Sequence, residues 1–285
     1  MHSRKPIALV FALAAIGSVL ASVALAGRSS GDVTATDLRR LEPVNFITVC
    51  KFSHRKPDDP IVFPGQPGLS HGHTFIGNVS TDAFSTPASL RGAATTCERS
   101  EDRAAYWAPT LLVDNQPTAP AEATVYYRRR TIQRVRAFPQ GLKMISGDQH
   151  ATAPQSLRVT FWDCGKTGGV APSSRKVPTC PAGRATSLRL NVRFPDCWDG
   201  KRLDSANHKS HMAYSTRGRC DTAHPVAVPS ITLVMQYPVA GGADVELASM
   251  GQISGHADFI NVWQQAGLER LVDYCLNALR VCGSR

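Results

Sequence analysis

Leu188-Arg189-Leu190-Asn191-Val192 alternates apolar with polar side chains, the period-two pattern of a strand that buries one face and wets the other. Working outward, the same kind of segment recurs as Ile61-Val62-Phe63, Thr74-Phe75-Ile76, Thr110 to Val113, Thr124 to Tyr127, Leu157 to Trp162 and Ile231 to Met235. These runs are β-branched or aromatic and bounded by Pro, Gly, Asn or Asp, so they read as short strands. One segment reads as helix. From Asp258, placed as N-cap, the residues Phe259, Val262, Trp263, Leu268, Leu271, Val272, Cys275, Leu276 and Leu279 recur at spacings of three and four. The expected fold is mainly β, a β-sandwich-like core with long loops, disulfides and a C-terminal helix packed on it.

The N-terminus fixes the expected compartment. His2, Arg4 and Lys5 precede an apolar run from Ile7 to Ala26 that ends in Ala24-Leu25-Ala26, the small-x-small pattern of a signal-peptidase site. Residues 1–26 therefore read as a signal peptide. The alternative is an uncleaved anchor, because the run approaches the roughly 20 residues that span a bilayer. No second span follows, so the mature chain is expected to be secreted or surface-associated, with no stable membrane span. Residues 27–44 read as a flexible tether and 45–285 as a single domain, since neither an internal repeat nor a long polar linker divides them.

Export also changes the reading of the eight cysteines, because thiols in an oxidising compartment usually end as disulfides. None forms a Cys-x-x-Cys pair, which disfavours a structural zinc module. Connectivity does not follow from sequence alone. Short loops suggest Cys164 with Cys180, Cys197 with Cys220 and Cys275 with Cys282, which leaves Cys50 with Cys97. Gly165 to Thr186, rich in Gly, Pro, Ser and Lys, reads as an excursion stapled by the first of these.

Several motifs occur together: Pro57-Asp58-Asp59-Pro60-Ile61-Val62, Ser70-His71-Gly72-His73, Tyr106-Trp107-Ala108-Pro109, Pro139 to Gly147, Phe194 to Gly200, His208 to Tyr214 and Gly255 to Asn261. In number and order they resemble an uncharacterised secreted family, DUF1996, over about Phe46 to Cys275. Val262 stands where that family often has Gly. Members occur in actinobacteria and filamentous fungi, and fungal ones are sometimes joined to small modules that bind wall polysaccharide. The resemblance thus implies polysaccharide as the ligand class.

The histidines carry the chemistry. His71 and His73 are two apart, so on an extended segment both rings project from one face. His256 and Asp258 share that spacing. His208 and His211 are three apart and need a turn to act together. Three readings stand. The imidazoles could hold loops together by hydrogen bonds. His71, His73, His211 and His256, with His208 or Asp258, could bind zinc or copper. A histidine and a carboxylate could act as acid and base on a glycan without metal, which makes His71, His73, His208, His211, His256 and Asp258 the candidate catalytic residues.

Two apparent motifs fail on context. Gly68-Leu69-Ser70-His71-Gly72 fits a nucleophile elbow, but that motif needs a strand before it and a helix after it. His208 and His211 lack the intervening glutamate of a zinc protease. Asp58, Asp59, Asp196, Asp199, Asp204 and Asp258 read as loop residues, where functional carboxylates collect and where ordinary turns also use them. Trp107, Trp198 and Tyr214, with Asp199, are candidates for contacting a sugar, although core packing is the usual fate of so few large aromatics.

Charge narrows the partners. Thirty-two basic and twenty-two acidic residues give a formal +10, or about +8 without the signal. Arg128-Arg129-Arg130, Arg134 and Arg136 concentrate part of it, either as a solvated strand edge or as a contact for acidic polymers. Compartment disfavours nucleic acid. The expectation is a secreted or cell-surface protein that acts on or binds polysaccharide, or another acidic surface polymer, through a His-rich cleft. Whether the cleft catalyses is left open. The competing expectation is a non-catalytic envelope protein whose histidines are structural.

Overall fold

The computed structural model describes residues 34–165, 172–181 and 187–284. The signal segment and the start of the tether lie outside the described residues, as does much of the Gly165–Thr186 excursion. Ten strands form two five-stranded sheets. In chain order they are β1 (Asn45–Cys50), β2 (Phe52–Lys56), β3 (His73–Gly77), β4 (Ala105–Pro109), β5 (Glu122–Arg128), β6 (Lys143–Gly147), β7 (Thr160–Cys164), β8 (Leu188–Arg193), β9 (Ser230–Tyr237) and β10 (His256–Ile260). The first sheet runs β1-β5-β9-β8-β7 and the second β2-β3-β4-β10-β6, with antiparallel pairing throughout.

Alternation along the strands builds the sandwich. Phe46 of β1, Val125 and Tyr127 of β5, Leu190 and Val192 of β8 and Leu233 and Met235 of β9 turn inward. They meet Ile76, Tyr106, Ala108, Met144, Ala257 and Phe259 of the second sheet in one buried cluster. Trp263 joins that cluster, edge-on to Tyr127 with ring centroids 5.7 Å apart. Phe194 and Phe138 add to it around Phe259. The second sheet is buried on its other face too, where Ile61, Phe75, Leu90, Trp107, Ile260 and Val262 form a smaller cluster.

That second covering explains where local structure departs from expectation. Asp258 is not a helix cap: it lies within β10, all five residues of which are buried. A strand covered on both faces loses its period-two signal, so its apolar residues run on into the helical spacing that follows. The helix itself spans Gln265–Leu271 and continues as one wider turn over Val272–Asn277. Ile61-Val62-Phe63 is a turn, because Asp59 Oδ1 accepts the amide hydrogens of Ile61 and Val62 at 2.9 Å each. In the tether region Ala35–Leu41 forms a short helix whose N-cap Thr34 accepts from the Asp37 amide.

All four expected disulfides form: Cys50–Cys97, Cys164–Cys180, Cys197–Cys220 and Cys275–Cys282. Cys197–Cys220 closes the segment that carries Asp204, His208 and Lys209. Among the described residues no helix is long and apolar enough to cross a membrane. Four disulfides fit an oxidising, extracellular setting.

Candidate functional site

Strand register assembles the site on the face of the second sheet that points away from the sandwich core. Phe75 pairs with Trp107, Trp107 with Asp258 and Asp258 with Ile145, a row across four strands. Two residues along β3 from Phe75 is His73, and two along β10 from Asp258 is His256. Residues two apart share a face, so both imidazoles project on the same side as Asp258. They flank β4 at Pro109, which pairs with His73.

The rings converge. His71 and His73 have centroids 4.2 Å apart, His71 and His256 5.0 Å, and His73 and His256 5.7 Å. One ring nitrogen from each lies within 4.8 Å of those of the other two. Carboxylates of Asp59 and Asp258 stand within the same limit of one another and of His73. A third group satisfying this criterion, Cys50, Cys97 and Asp102, is not a cation site, since both sulfurs are spent in a disulfide.

Tautomers follow from the hydrogen bonds. Nδ1 of His73 is 3.0 Å from the Asp58 carbonyl oxygen, and Nδ1 of His256 is 2.8 Å from that of Ser254. A carbonyl only accepts, so in each neutral ring Nδ1 carries the hydrogen and Nε2 presents a lone pair. These two Nε2 atoms face each other at 3.5 Å. Nε2 of His71 and Oδ2 of Asp258 are buried with no hydrogen-bond partner among the described residues. Unsatisfied groups of this kind are costly in a packed interior and call for an explanation.

Burial sets the protonation. It pulls His71 down to about 4, helped by the charge of His150, and His256 down to about 3. His73, fully enclosed, is driven well below the usual histidine range by burial and then by His71 and His256. The rings are therefore neutral at neutral pH, the state in which imidazole ligates metal. Asp258 moves the other way: burial, then repulsion from Asp59, raises it well above the carboxylate range, with Lys209 opposing. Burial also raises Asp59, against the stabilising amides of Val62 and Ile61.

His256 and Asp258 line a cavity of about 200 Å³ whose walls include Asp59, Ile145, Asp148, His150, His208 and Lys209. A second hollow of about 240 Å³ shares Ile145, Gly147, Asp148 and Lys209 with it and extends to Met212 and Tyr214. Gly147 makes the shared wall possible. Its φ is +84°, and a Cβ there would lie 2.4 Å from the Gly255 carbonyl oxygen. Lys209 donates to the Gly147 carbonyl at 2.8 Å, and Nδ1 of His208 lies 2.8 Å from Asp204 Oδ1.

The remaining sequence candidates stand elsewhere. His211 lies apart from the three-ring cluster; its Nε2 is 2.7 Å from the Lys143 carbonyl oxygen and its Nδ1 3.0 Å from Ser205 Oγ, so it pins its loop to β6. Trp107 is fully buried beneath the site. Trp198 donates to the Arg202 carbonyl, and Asp199 accepts from the Lys201 and Arg202 amides in the adjoining turn. Tyr214 remains partly open, with its hydroxyl on the Arg193 carbonyl at 2.8 Å. Ser70 leads into β3 with no helix after it, so no nucleophile elbow exists. His150 and Lys209 are the groups that motif reading did not select for the site, and Asp59 was one of several loop carboxylates with nothing to single it out. The only local signal was the Asp58-Asp59-Pro60 run, which also describes an ordinary turn.

Neither a comparison with curated proteins nor one with solved structures gave a match. The family model described as a domain of unknown function, DUF1996, matches residues 59–263, which takes in Asp59, His71, His73, His208, His256 and Asp258. That span is well over half of the chain, and the chain belongs to the DUF1996 family.

Proposed function

We propose that this is an exported, polysaccharide-directed protein whose working centre is a transition-metal ion, zinc or copper, held by His71, His73 and His256. One observation carries the reading: two lone-pair nitrogens, on His73 and His256, face each other at 3.5 Å while both Nδ1 atoms are anchored to carbonyls. Without a cation the contact is repulsive. Metal–nitrogen bonds of about 2.0–2.1 Å in tetrahedral geometry would set ligand nitrogens ~3.3 Å apart. Anchoring of the distal ring nitrogen is the arrangement that orients metal-bound histidines. Three protein ligands leave a position open to water or to a ligand oxygen.

Asp59 and Asp258 stand beside this position and could accept or supply a proton there. The two adjoining hollows, bounded by Lys209 and reaching Tyr214, favour an elongated ligand over a small one. Export is supported by the N-terminal sequence and the four disulfides, and polysaccharide is the ligand class that the family resemblance implies. Elemental analysis of protein purified from an oxidising compartment tests the centre. One equivalent of zinc or copper, removable by chelator, is expected; absence of stoichiometric binding on reloading overturns it. A panel of wall polysaccharides, scored for retention and for released products, tests the ligand class. Retention without products assigns a binding protein, products assign an enzyme, and neither rejects polysaccharide.

A further inference from the structure

The run Arg128-Arg129-Arg130, at and just beyond the end of β5, divides into two different devices. Arg129 turns to the C-terminal helix end. Its Nε donates to the Thr131 carbonyl, Nη2 to Ile132 and Gln133, and Nη1 to Leu276 at 3.3 Å. That guanidinium is fully used in structure. Arg128 lies on the outer face of the first sheet with Tyr126, while Arg130, just beyond the end of β5, comes close enough to Arg128 and Arg193 for their charges to interact.

There the register gathers donors. Arg193 pairs with Thr232 and Thr232 with Tyr126, while Ser230 pairs with Arg128 one row further on. Directly paired and i, i+2 residues share a face, so Arg193, Thr232, Ser230 and Arg128 all lie on one side at one end of the sheet. Arg128 stacks over the Tyr126 ring at 4.5 Å. Nε of Arg130, Nε of Arg193, Oγ of Ser230 and Oγ1 of Thr232 are all buried without a hydrogen-bond partner among the described residues. Ser230 is wholly buried and Thr232 is 7% exposed.

Like charges are packed here against their own repulsion. Burial, then Arg130, pushes Arg193 down to about 10, with Arg128 and Arg158 adding to the effect and Tyr214 opposing it. Arg128 is lowered by burial and then by Arg130. The nearby carboxylates are Asp196, which attracts Arg130, and Glu42, which attracts Arg128 and Arg130. Asp196 is already committed, accepting from the Ser215 amide and hydroxyl at 2.8 Å each. Positive charge and donors are in excess, and among the described residues no ion pair within 4.0 Å joins Arg128, Arg130 or Arg193 to an acid.

We propose that this end of the first sheet is an oxyanion site, in which Arg128, Arg130 and Arg193 with the hydroxyls of Ser230 and Thr232 hold a carboxylate, sulfate or phosphate group. Guanidinium forks match the paired oxygens of such groups, and buried hydroxyls complete the donor set. The site is independent of the histidine cluster, so either can fail alone. The shared chemistry admits two sources, a free inorganic anion or an acidic group carried on a polymer.

Calorimetry on the full mature chain distinguishes them, using sodium sulfate against sodium chloride at matched ionic strength, and polygalacturonate against a neutral glucan. Sulfate binding alone assigns a free-anion site. Binding of the acidic polymer, but not the neutral one, assigns a polymer-borne group. In either case Arg130→Gln and Arg193→Gln should weaken binding roughly tenfold or more, as loss of a charge-assisted contact does. Arg134→Gln, which removes an exposed ion pair with Asp273, should leave it unchanged. Thr232→Val keeps shape while deleting a donor and should also weaken binding, which protects the test should an arginine variant fold poorly. No binding of sulfate or acidic polymer by the wild type, or equal binding by the wild type, Arg193→Gln and Thr232→Val, overturns the proposal.

Discussion

Trp263 donates its indole N–H to the Tyr127 hydroxyl at 2.8 Å, tying the segment after β10 to the opposite sheet. Tyr127 in turn contacts the Tyr106 hydroxyl on β4, and Tyr106 donates to Asp102, with the carboxylate oxygens at 3.0 and 3.1 Å. The chain of hydrogen bonds runs through the sandwich core and ends on the Asp102 carboxyl group, which has no solvent exposure. Both tyrosines are raised well above their usual range by burial, so they remain hydroxyl donors throughout. The network supplies orientation as well as energy, anchored at one end by the Trp263 indole, which can only donate.

Asp102 makes stability depend on pH. Burial raises it from the ordinary carboxylate range to about 8, outweighing the hydrogen bonds from Tyr106 and Ala104. The folded state therefore holds a proton that the unfolded chain releases. The associated stability is fully present below about pH 4 and is lost as pH rises to about 8. Asp102→Asn keeps an acceptor for Tyr106 and removes the titration. Urea midpoints measured from pH 4 to 9 should decline less steeply in the variant, which should be the more stable protein at pH 9. A wild type and variant with parallel profiles would show that Asp102 is ionised in the fold.

Removal of one nitrogen from the three-ring cluster should abolish tight metal binding without unfolding the protein. His256→Ala and His71→Ala each leave two imidazoles, and loss of a ligand should cost at least the roughly 10–100-fold that a supporting partner costs. Isothermal titration with zinc and with copper reads this directly. His211→Ala serves as the contrast, because its ring nitrogens bind the Lys143 carbonyl and Ser205 rather than the cluster. That variant should lose stability and keep the metal. The reverse result would move the centre to the His208–His211 turn.

The difference between His211 and His256 shows what sequence can locate. Same-face spacing describes His256 with Asp258, which both lie in β10, whereas His71 precedes β3 and meets His73 at 4.2 Å from the segment leading into the strand. A three-residue spacing carries no such constraint. His208 adopts φ +55°, and that turn sends its ring to the cavity wall and His211 to β6. The sheets were readable from alternation where one face is wet, as in Leu188–Val192, and unreadable in β10, where both faces are covered. Loop length suggested three of the bridges and left Cys50 with Cys97 as the remainder. Asp59 was visible as one of several loop carboxylates, and its meeting with Asp258 joins a turn to a strand far away in sequence.

Gly147 lies where the cavity and its neighbour share a wall, and its conformation is not available to other residues without strain. At φ +84° with a Cβ position 2.4 Å from the Gly255 carbonyl, Gly147→Ala should cost about 1–3 kcal/mol from backbone strain alone. The clash falls on the residue preceding His256, so the metal site should suffer with the fold. Thermal denaturation and zinc titration should therefore both shift. Gly65, whose added Cβ would meet nothing within 4 Å, also has positive φ and isolates the strain contribution: Gly65→Ala should lose stability and leave zinc affinity unchanged.

The Cys197–Cys220 bridge offers a way to separate metal binding from polymer binding. Its closed loop, with a sequence separation of 23, carries His208 and Lys209 but none of the three metal ligands. By loop-closure entropy its removal should cost about 3 kcal/mol, measurable as a lower urea midpoint for the Cys197→Ala, Cys220→Ala double variant. Lys209 reaches the Gly147 carbonyl from this loop, so the cavity wall should loosen while β3 and β10 still hold His73 and His256 in register. Metal affinity should be retained and polysaccharide retention reduced. Joint loss of both in a variant that circular dichroism shows to be folded would mean that the loop, and not the sheet, positions the imidazoles.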